Sequence, residues 1–334
     1  MVLLGNILSL LGGLSLFLFG MKIMGKGLEE LAGARLGATL ERMTGSRGRG
    51  LLLGTAVTAV MQSSSAVTVM AVGFVNAEIM TLSQATGIIM GANIGTTVTA
   101  WLFSLTHLQG TAFFLQLFKA SSLASLAAIP GALLYVFSKH RARQNAGQIL
   151  LGFAVLIFGM DVMSEAMSPL AEDPHFSSLF LSFANPLLGI VTGTLLTALL
   201  QSSSASVGIL QSLSRAGQLT GGAAIPLIMG LNIGTCATTL LSCMGGEKNA
   251  KRAAMIHLYF NLIGTVLLSF GFYTLNGIFH YAFVSQPINA FGIALIHSAF
   301  NLLSTALLFP FGKELERLAY KSIPDGVSHT RRTQ

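Results

Sequence analysis

Two short polar blocks interrupt otherwise apolar stretches of the chain. One, Gln62–Ser65, divides the stretch 51–76, and the other, Gln201–Ser204, divides 187–213. Together they supply six serine hydroxyls and two glutamine amides. A helix that restarts after each block would aim free backbone N–H groups and its positive dipole end at the same place. These groups could bind an oxyanion without arginine, while the hydroxyl and carbonyl oxygens suit a hard cation such as sodium.

A second motif also occurs twice, as NIGTT at Asn93–Thr97 and as NIGTC at Asn232–Cys236. Asparagine and threonine side chains, together with backbone carbonyls freed by local unwinding at the glycines, would be suitable cation ligands. The alternative is close helix packing, because each copy lies in a G-x-x-x-G spacing. Both interpretations are open here. Cys236 replaces the hydroxyl of Thr97, so the second copy is the poorer ligand for a hard ion.

Three further polar positions lie in apolar sequence. His257 and His297 are each followed four residues later by an asparagine, Asn261 and Asn301, so each pair shares one helical face. These pairs either line the site or hydrogen-bond to neighbouring helices. Lys119 is a functional candidate if it lies within the membrane, but snorkelling or a later start of the span would explain it equally well.

The two halves of the chain resemble each other at a constant offset of 139 residues. Residues 54–66 and 193–205 are identical at nine of thirteen positions, and residues 90–99 and 229–238 at seven of ten. Chance similarity between apolar segments could match leucine, valine and alanine. It would not match both polar motifs at a fixed spacing, so the pattern indicates an internal repeat. It also argues against the usual alternative in membrane segments, in which serines only form hydrogen bonds between helices.

The composition is that of a membrane protein. The 334 residues are 52% hydrophobic and only 9% Asp, Glu, Lys and Arg, where soluble domains carry about 25%. This excludes a cytosolic enzyme, a disordered chain and a nucleic-acid-binding protein. The N-terminal stretch lacks a charged leader and a cleavage site, so we expect it to be a retained span. The stretches long enough to cross a membrane are 2–21, 83–105, 111–137, 147–163, 221–243, 253–274 and 288–310.

The predicted fold is therefore an all-α polytopic membrane protein with inverted structural repeats and two re-entrant helical hairpins. If both hairpins re-enter, 17 of the 19 lysines and arginines lie on one side of the membrane, but only 14 do if both stretches cross. The positive-inside rule then places the N-terminus outside and the C-terminus in the cytoplasm. Three crossings would separate the repeats and invert the second, so both polar tips could meet near the midplane.

The expected domains follow from this topology. Residues 1–139 form the first repeat, with its hairpin at about 51–76. Residues 140–310 form the second repeat plus an extra last helix, with its hairpin at about 187–213. Residues 311–334 form a cytoplasmic tail, and the loop 22–50 is expected to be an amphipathic interfacial helix.

At its paired QSSSA and NIGT motifs the chain resembles the type II sodium/phosphate cotransporter family, over roughly residues 1–310. The resemblance implies sodium-coupled import of inorganic phosphate by alternating access. It implies that phosphate binds at Gln62, Ser63, Ser64, Ser65, Gln201, Ser202, Ser203 and Ser204. It implies that sodium binds at Gln62, Ser65, Asn93, Thr96, Thr97, Gln201, Ser204, Asn232 and Thr235. The absence of large cysteine-containing loops resembles bacterial members, so the bacterial inner membrane is the expected location.

Sodium is expected as the coupling ion, with no other cofactor and no transition metal. The expected partners are phosphate, sodium and membrane lipid, without nucleic acid, and a homodimer is left open. No G-x-S-x-G, Walker A or H-E-x-x-H pattern occurs, so the protein is not expected to be an enzyme. The alternatives are a transporter or exporter of another oxyanion on the same scaffold, and an anion channel.

Overall fold

A computed structural model describes residues 2–43, 46–105, 120–167, 182–215, 217 and 219–325. Within these ranges every regular element is helical, which confirms the all-α prediction. In chain order the α-helices are α1 Val2–Met43, α2 Arg47–Met61, α3 Ser64–Asn76, α4 Leu82–Leu105, α5 Ala120–Phe137, α6 Arg141–Met167, α7 Pro186–Leu200, α8 Ser203–Arg215, α9 Gly221–Ser242, α10 Lys248–Phe279, α11 Ala290–Leu308 and α12 Gly312–Ser322, with a short 3-10 helix at Ala282–Val284.

Six of these helices are long and apolar enough to cross a membrane, which confirms a polytopic membrane protein. They are Gly5–Leu31 within α1, and α4, α6, α9, α10 and α11. They match six of the seven expected spans. The seventh, 111–137, is only partly described, as α5. Residues 106–119, including Lys119, lie outside the described residues.

The expected end of the first span at residue 21 was wrong. α1 continues without a break to Met43, so the segment after residue 21 is not a separate interfacial helix. The reason lies in the packing face of α1, which extends past the first lysine. Met24 is 5% exposed, and Gly27 lies against the backbone of Asn145 on α6. Burial of this face favours a continuous helix where the charge pattern suggested a boundary.

α1 and α6 pack closely and run antiparallel. Gly13 of α1 lies against Gly159 of α6, whereas Gly20 lies against Gly152. The later residue of one helix thus meets the earlier residue of the other. The offset of 139 relates Gly13 to Gly152 and Gly20 to Gly159, so equivalent segments of the two halves contact each other through equivalent residues.

The segment 47–76 forms a helix–turn–helix unit whose chain reverses direction. α2 runs parallel to α4, since Gly50 lies against Gln84 and Gly95 lies against Thr55. The connection from α3 to α4 is only five residues long, 77–81. α3 must therefore run back from Gln62 towards the end at which α2 began. We call α3 the first return helix and Gln62–Ser65 the first tip.

The segment 186–215 forms a second unit of the same shape, with α8 as the second return helix and Gln201–Ser204 as the second tip. The hydroxyl oxygens of Thr197 and Ser206 are 2.8 Å apart, although nine residues of continuous helix would separate them by about 13 Å. The glycine contacts match as well. Gly91 packs on Leu51 in the first half, and their equivalents Gly230 and Ile190 pack together in the second.

The last three helices pack against parts of these units and against α4 and α9. α10 packs against α9 and the first return helix, while α11 packs against α4 and the second return helix. Arg47, at the start of α2, donates to Glu316 of α12 at 2.7 Å and to Ser83 at 3.1 Å. The expected tail thus contains a helix that packs against α10 and α4 and forms an ion pair with the first unit.

Candidate functional site

Both tips break their helices in the same way. Gln62 has φ 55° and ψ 25°, and Gln201 has φ 53° and ψ 26°. Residues other than glycine are uncommon in this left-handed region, which costs about 1–3 kcal/mol when the surroundings enforce it. The same conformation at two positions 139 residues apart therefore marks a local geometry that the fold maintains in both halves.

The second residue of each tip caps the return helix. The Ser63 hydroxyl accepts from the backbone N–H of Ala66, and the Ser202 hydroxyl accepts from that of Ala205, both at 3.2 Å. The first-turn N–H groups of each return helix have no intrahelical carbonyl to bond. Hydroxyls and N–H groups with the positive end of a helix dipole are thus collected at each tip, which is a suitable arrangement for an anion.

The serines of both tips are at least partly buried. Ser64, Ser203 and Ser204 are only 4–5% exposed. Ser63, Ser65 and Ser202 are half-buried. Burial weakens the competition from water and strengthens any interaction that these groups make with an ion.

The two glutamines have different surroundings. The side-chain oxygen of Gln62 accepts from the Thr99 hydroxyl at 2.8 Å, and its nitrogen donates to the carbonyl of Ala59. At the equivalent place in the second half Gln201 is exposed, and the buried Thr238 hydroxyl has no partner among the described residues. The first tip is therefore held against α4 by a bond that the second tip lacks on α9.

The NIGT segments remain helical throughout, which favours the close-packing alternative over local unwinding at the glycines. Their glycines contact the backbone of a neighbouring helix: Gly95 lies against Thr55, and Gly234 lies against Thr194. This close contact keeps each segment within a regular helix and supports the packing interpretation of the glycines.

The polar side chains of the NIGT segments bond back to their own helices. Asn93 and Asn232 donate to the carbonyls of Ile89 and Ile228, and Thr96 and Thr235 likewise donate four residues back. Thr97 donates to the carbonyl of Ile94. Each threonine uses its single hydroxyl hydrogen and each asparagine uses one of its two amide hydrogens, so lone pairs on the side-chain oxygens are left to accept a hydrogen bond or bind a cation.

Each return helix crosses the NIGT helix of the other half. The hydroxyl oxygens of Thr68 on α3 and Thr239 on α9 are 3.2 Å apart. Gln211 on α8 donates to the carbonyl of Ala100 on α4 at 2.9 Å. Each tip is therefore connected through its return helix to the helix that carries the NIGT motif of the opposite half.

The histidine–asparagine pairs behave differently from each other. His257 Nδ1 is 3.0 Å from the Thr239 hydroxyl, and Asn261 donates to the sulfur of Cys236 and to the His257 carbonyl. This pair fits the interhelical alternative. His297 is buried, and neither ring nitrogen has a partner within the described part of the chain.

Thr99, Thr68 and Thr239 lie outside the polar motifs that the sequence repeats at Gln62–Ser65 and Asn93–Thr97 and in the second half. A signal existed for Thr99, because it lies one helical turn after the NIGT motif and recurs as Thr238 in the second half. Thr68 and Thr239 carried no such signal, since their equivalents are Val207 and Ala100.

Several known proteins are similar to this chain. YqeW of Bacillus subtilis, an uncharacterized protein, is 27% identical over 264 residues, covering 75% of this chain and 78% of its own. YjbB of Escherichia coli K12, which is named for inorganic phosphate export, is 25% identical over 264 residues, covering 79% of this chain. This match spans 46% of YjbB, so the chain covers about half of that relative. No solved structure matches the chain.

An animal relative is similar over a shorter region. The human sodium-dependent phosphate transport protein 2B is 38% identical over 136 residues, which is 37% of this chain and 20% of that protein. The model of the family described as Na+/Pi-cotransporter matches twice, at residues 16–165 and 155–305. Together the two matches cover most of the sequence, and each contains one of the two tips. The chain therefore belongs to the Na+/Pi-cotransporter family, a family of phosphate transporters.

Proposed function

We propose that the protein couples sodium to the import of inorganic phosphate, and that both ions bind at the two tips and the adjoining NIGT helices. The observation that supports this most strongly is the duplicated tip. Each tip has a glutamine in the left-handed backbone region, a capping serine and a first helical turn whose N–H groups have no intrahelical carbonyl to bond. Two such tips would supply backbone N–H groups and hydroxyls to an anion. Membership of the family supports phosphate as the anion.

Phosphate would be bound without a basic residue. Its ligands in this proposal are the N–H groups and hydroxyls at Ser64 and Ser203, with the remaining residues of Gln62–Ser65 and Gln201–Ser204 around them. Dipolar donors of this kind hold an anion firmly enough for recognition. They also allow the phosphate to be released, because none of the proposed ligands carries a full positive charge that would retain it.

Sodium would bind where a side-chain oxygen still has a lone pair to offer. The proposed ligands are the side-chain oxygens of Asn93, Thr96 and Thr97, of Asn232 and Thr235, and of Gln62, Ser65, Gln201 and Ser204 at the tips. Cation and anion would then partly neutralise each other inside a partly buried site. Bound sodium would raise the affinity for phosphate, and phosphate would raise the affinity for sodium by the same factor.

Membrane potential explains why coupling is needed. Moving divalent phosphate into a cell that is negative inside costs about 4.6 kcal/mol per 100 mV, and each entering sodium offsets about 2.3 kcal/mol per 100 mV. At least two sodium ions are therefore required for an electroneutral cycle.

Alternating access would follow from an inverted repeat. The antiparallel contact of Gly20 with Gly152 and of Gly13 with Gly159 supports opposite orientations of the two halves in the membrane. The units 47–76 and 186–215 would then enter as re-entrant hairpins from opposite faces and move against the remaining helices. In this topology the N-terminus lies outside, the C-terminus lies in the cytoplasm, and the bacterial inner membrane is the expected location.

Export is the second candidate, favoured by the similarity to YjbB, which is named for phosphate export. The same site and repeat would serve export, with only the direction of net flux changed. Transport of another oxyanion and passive flow through a channel are the remaining alternatives.

The experiment is uptake of radiolabelled phosphate into liposomes that contain the purified protein. Under an inward sodium gradient we expect accumulation that a matched potassium gradient does not produce. Unlabelled arsenate and sulfate test selectivity. Phosphate flux that is the same with sodium and with potassium would contradict sodium coupling and favour a channel. An outward gradient that drives release from loaded vesicles, without any inward response, would favour export.

A further inference from the structure

The first return helix is connected to α10 by a continuous line of buried hydrogen bonds. The Thr68 hydroxyl is 3.0 Å from the carbonyl oxygen of Ser65 and 3.2 Å from the Thr239 hydroxyl. The Thr239 hydroxyl is in turn 3.0 Å from His257 Nδ1. Thr68, Thr239 and His257 are each fully buried. We call this line of four residues the relay.

The chemistry of these groups gives the relay one direction. A carbonyl oxygen only accepts, so the Thr68 hydroxyl donates to Ser65. Because its single hydrogen is used there, Thr68 accepts from the Thr239 hydroxyl. Thr239 has then used its own hydrogen and accepts from His257. The imidazole must therefore carry a hydrogen on Nδ1, and the hydrogen bonds of such a chain polarise and strengthen one another.

The relay ends at the first tip. Ser65 belongs to that tip, and its backbone carbonyl lies in the first turn of the return helix. His257 reaches this turn across α9, a helix of the other half. Three hydrogen bonds thus connect His257 to the tip's backbone, so His257 is in a position to hold that backbone in place.

The second tip has no counterpart of the relay. The residues equivalent to Thr68 and Thr239 are Val207 and Ala100, which belong to one apolar cluster with Ile293 of α11. α11 nevertheless packs on α4 and α8 as α10 packs on α9 and α3, and it carries the same H-x-x-x-N spacing. Neither Val207 nor Ala100 has a hydroxyl, and neither ring nitrogen of the buried His297 has a partner within the described residues.

We propose that His257 is a positioning residue for the first tip, acting through Thr239 and Thr68 on the carbonyl of Ser65. The proposal rests on the proposed function in assigning ion binding to this tip. In the absence of the relay the first return helix would still pack on α9, but the Ser65 turn would be less ordered. Ordering would have to be supplied by the bound ions, which lowers their apparent affinity.

The test compares His257→Leu with His257→Asn, two side chains of similar size. An asparagine amide can donate from about the position of Nδ1, whereas leucine cannot donate. For His257→Leu we expect the apparent KM for sodium in phosphate uptake to rise about fivefold, the effect of one lost hydrogen bond, with Vmax changed less than twofold. His257→Asn should restore most of the affinity. His297→Leu is the matched control and should leave the KM unchanged.

Thr239→Val examines the middle of the relay. If His257 acts through Thr239, the double variant Thr239→Val/His257→Leu should be no worse than the more severe single variant. Independent effects that add would contradict the proposal. A fall in Vmax with an unchanged KM, or a failure of His257→Asn to restore the KM, would indicate a structural role only and would also overturn it.

Hydrogen exchange separates this proposal from the proposed function. Mass spectrometry of the purified protein without phosphate should show faster amide exchange in 64–76 for His257→Leu, with 203–215 unchanged. This readout needs no transport, so it tests the relay even if the wild-type protein proves indifferent to sodium. Unchanged exchange in 64–76, or an equal increase in both return helices, would overturn the proposal.

Discussion

Gly20 of α1 lies in backbone contact with Gly152 of α6: a Cβ placed on Gly20 would be 2.6 Å from the carbonyl oxygen of Gly152. Contacts this short leave no room for a side chain. With the swapped contact of Gly13 and Gly159, they form a seam between equivalent helices of the two halves. This seam fixes the two halves relative to each other, and it supports a scaffold against which the tips could move.

We expect Gly20→Ala to destabilise this seam. The added methyl group meets the backbone of Leu156, which cannot rotate away, so a cost of about 1–3 kcal/mol is expected from overpacking. Thermal unfolding of the detergent-solubilised protein should show a lower Tm. Gly25→Ala is the control, because nothing lies within 4 Å of its Cβ position. Equal Tm values for the two variants would contradict the close packing of α1 on α6.

Ser64→Ala and Ser203→Ala should each severely reduce sodium-dependent phosphate uptake at normal expression. Both serines are buried at the start of a return helix, where the proposed site has few groups to replace a lost hydroxyl. Ser15→Ala removes an exposed hydroxyl that only bonds to Leu11 on its own helix, so its uptake should match wild type. Wild-type uptake in both tip variants would remove the assignment of the site.

Thr99→Val and Thr238→Val test whether the hydrogen bond present only at the first tip matters for phosphate binding. Thr99→Val removes the bond to Gln62, worth about 1 kcal/mol, so phosphate affinity should fall by a factor of about five. Thr238→Val removes a buried hydroxyl that lacks a partner in the described residues, so affinity and Tm should be equal to or above wild type. Equilibrium binding of labelled phosphate checks both variants. Equal losses of affinity would show that the tips are equivalent in solution.

Glu316→Ala should weaken the contact between α12 and the start of α2. Arg47, whose side chain is 15% exposed, would lose its carboxylate partner, at a cost of about 1–3 kcal/mol. Limited proteolysis should then cleave around α12 faster than in wild type. In the control, Glu314→Ala, the pair with Arg317 is exposed and 3.7 Å long, so its loss should change little. Identical cleavage of both variants would contradict a docked α12.

Much of the fold could be predicted because each signal is local. The apolar stretches follow from the length of a membrane span, and the break at each tip follows from polar residues in an apolar helix. The continuation of α1 past Lys22 could not be predicted, because it depends on burial of Met24 against a helix more than 100 residues away.

The candidate site was predictable in part for the same reason. The duplicated motifs identified both tips. Thr99 and Thr238 are equivalent threonines in the repeat, but only Thr99 bonds to the glutamine of its tip, Gln62, and the sequence does not reveal this difference. The relay joins residues from α3, α9 and α10, and the neighbourhood of these helices is set by tertiary packing. No spacing within one segment reports such a contact.

The most direct test of the account is the binding of labelled phosphate to the purified protein as a function of sodium concentration. We predict that sodium, but not choline, raises the affinity for phosphate, and that phosphate raises the affinity for sodium by the same factor. Phosphate affinity that is identical in sodium and in choline would contradict the claim that the two ions share one site.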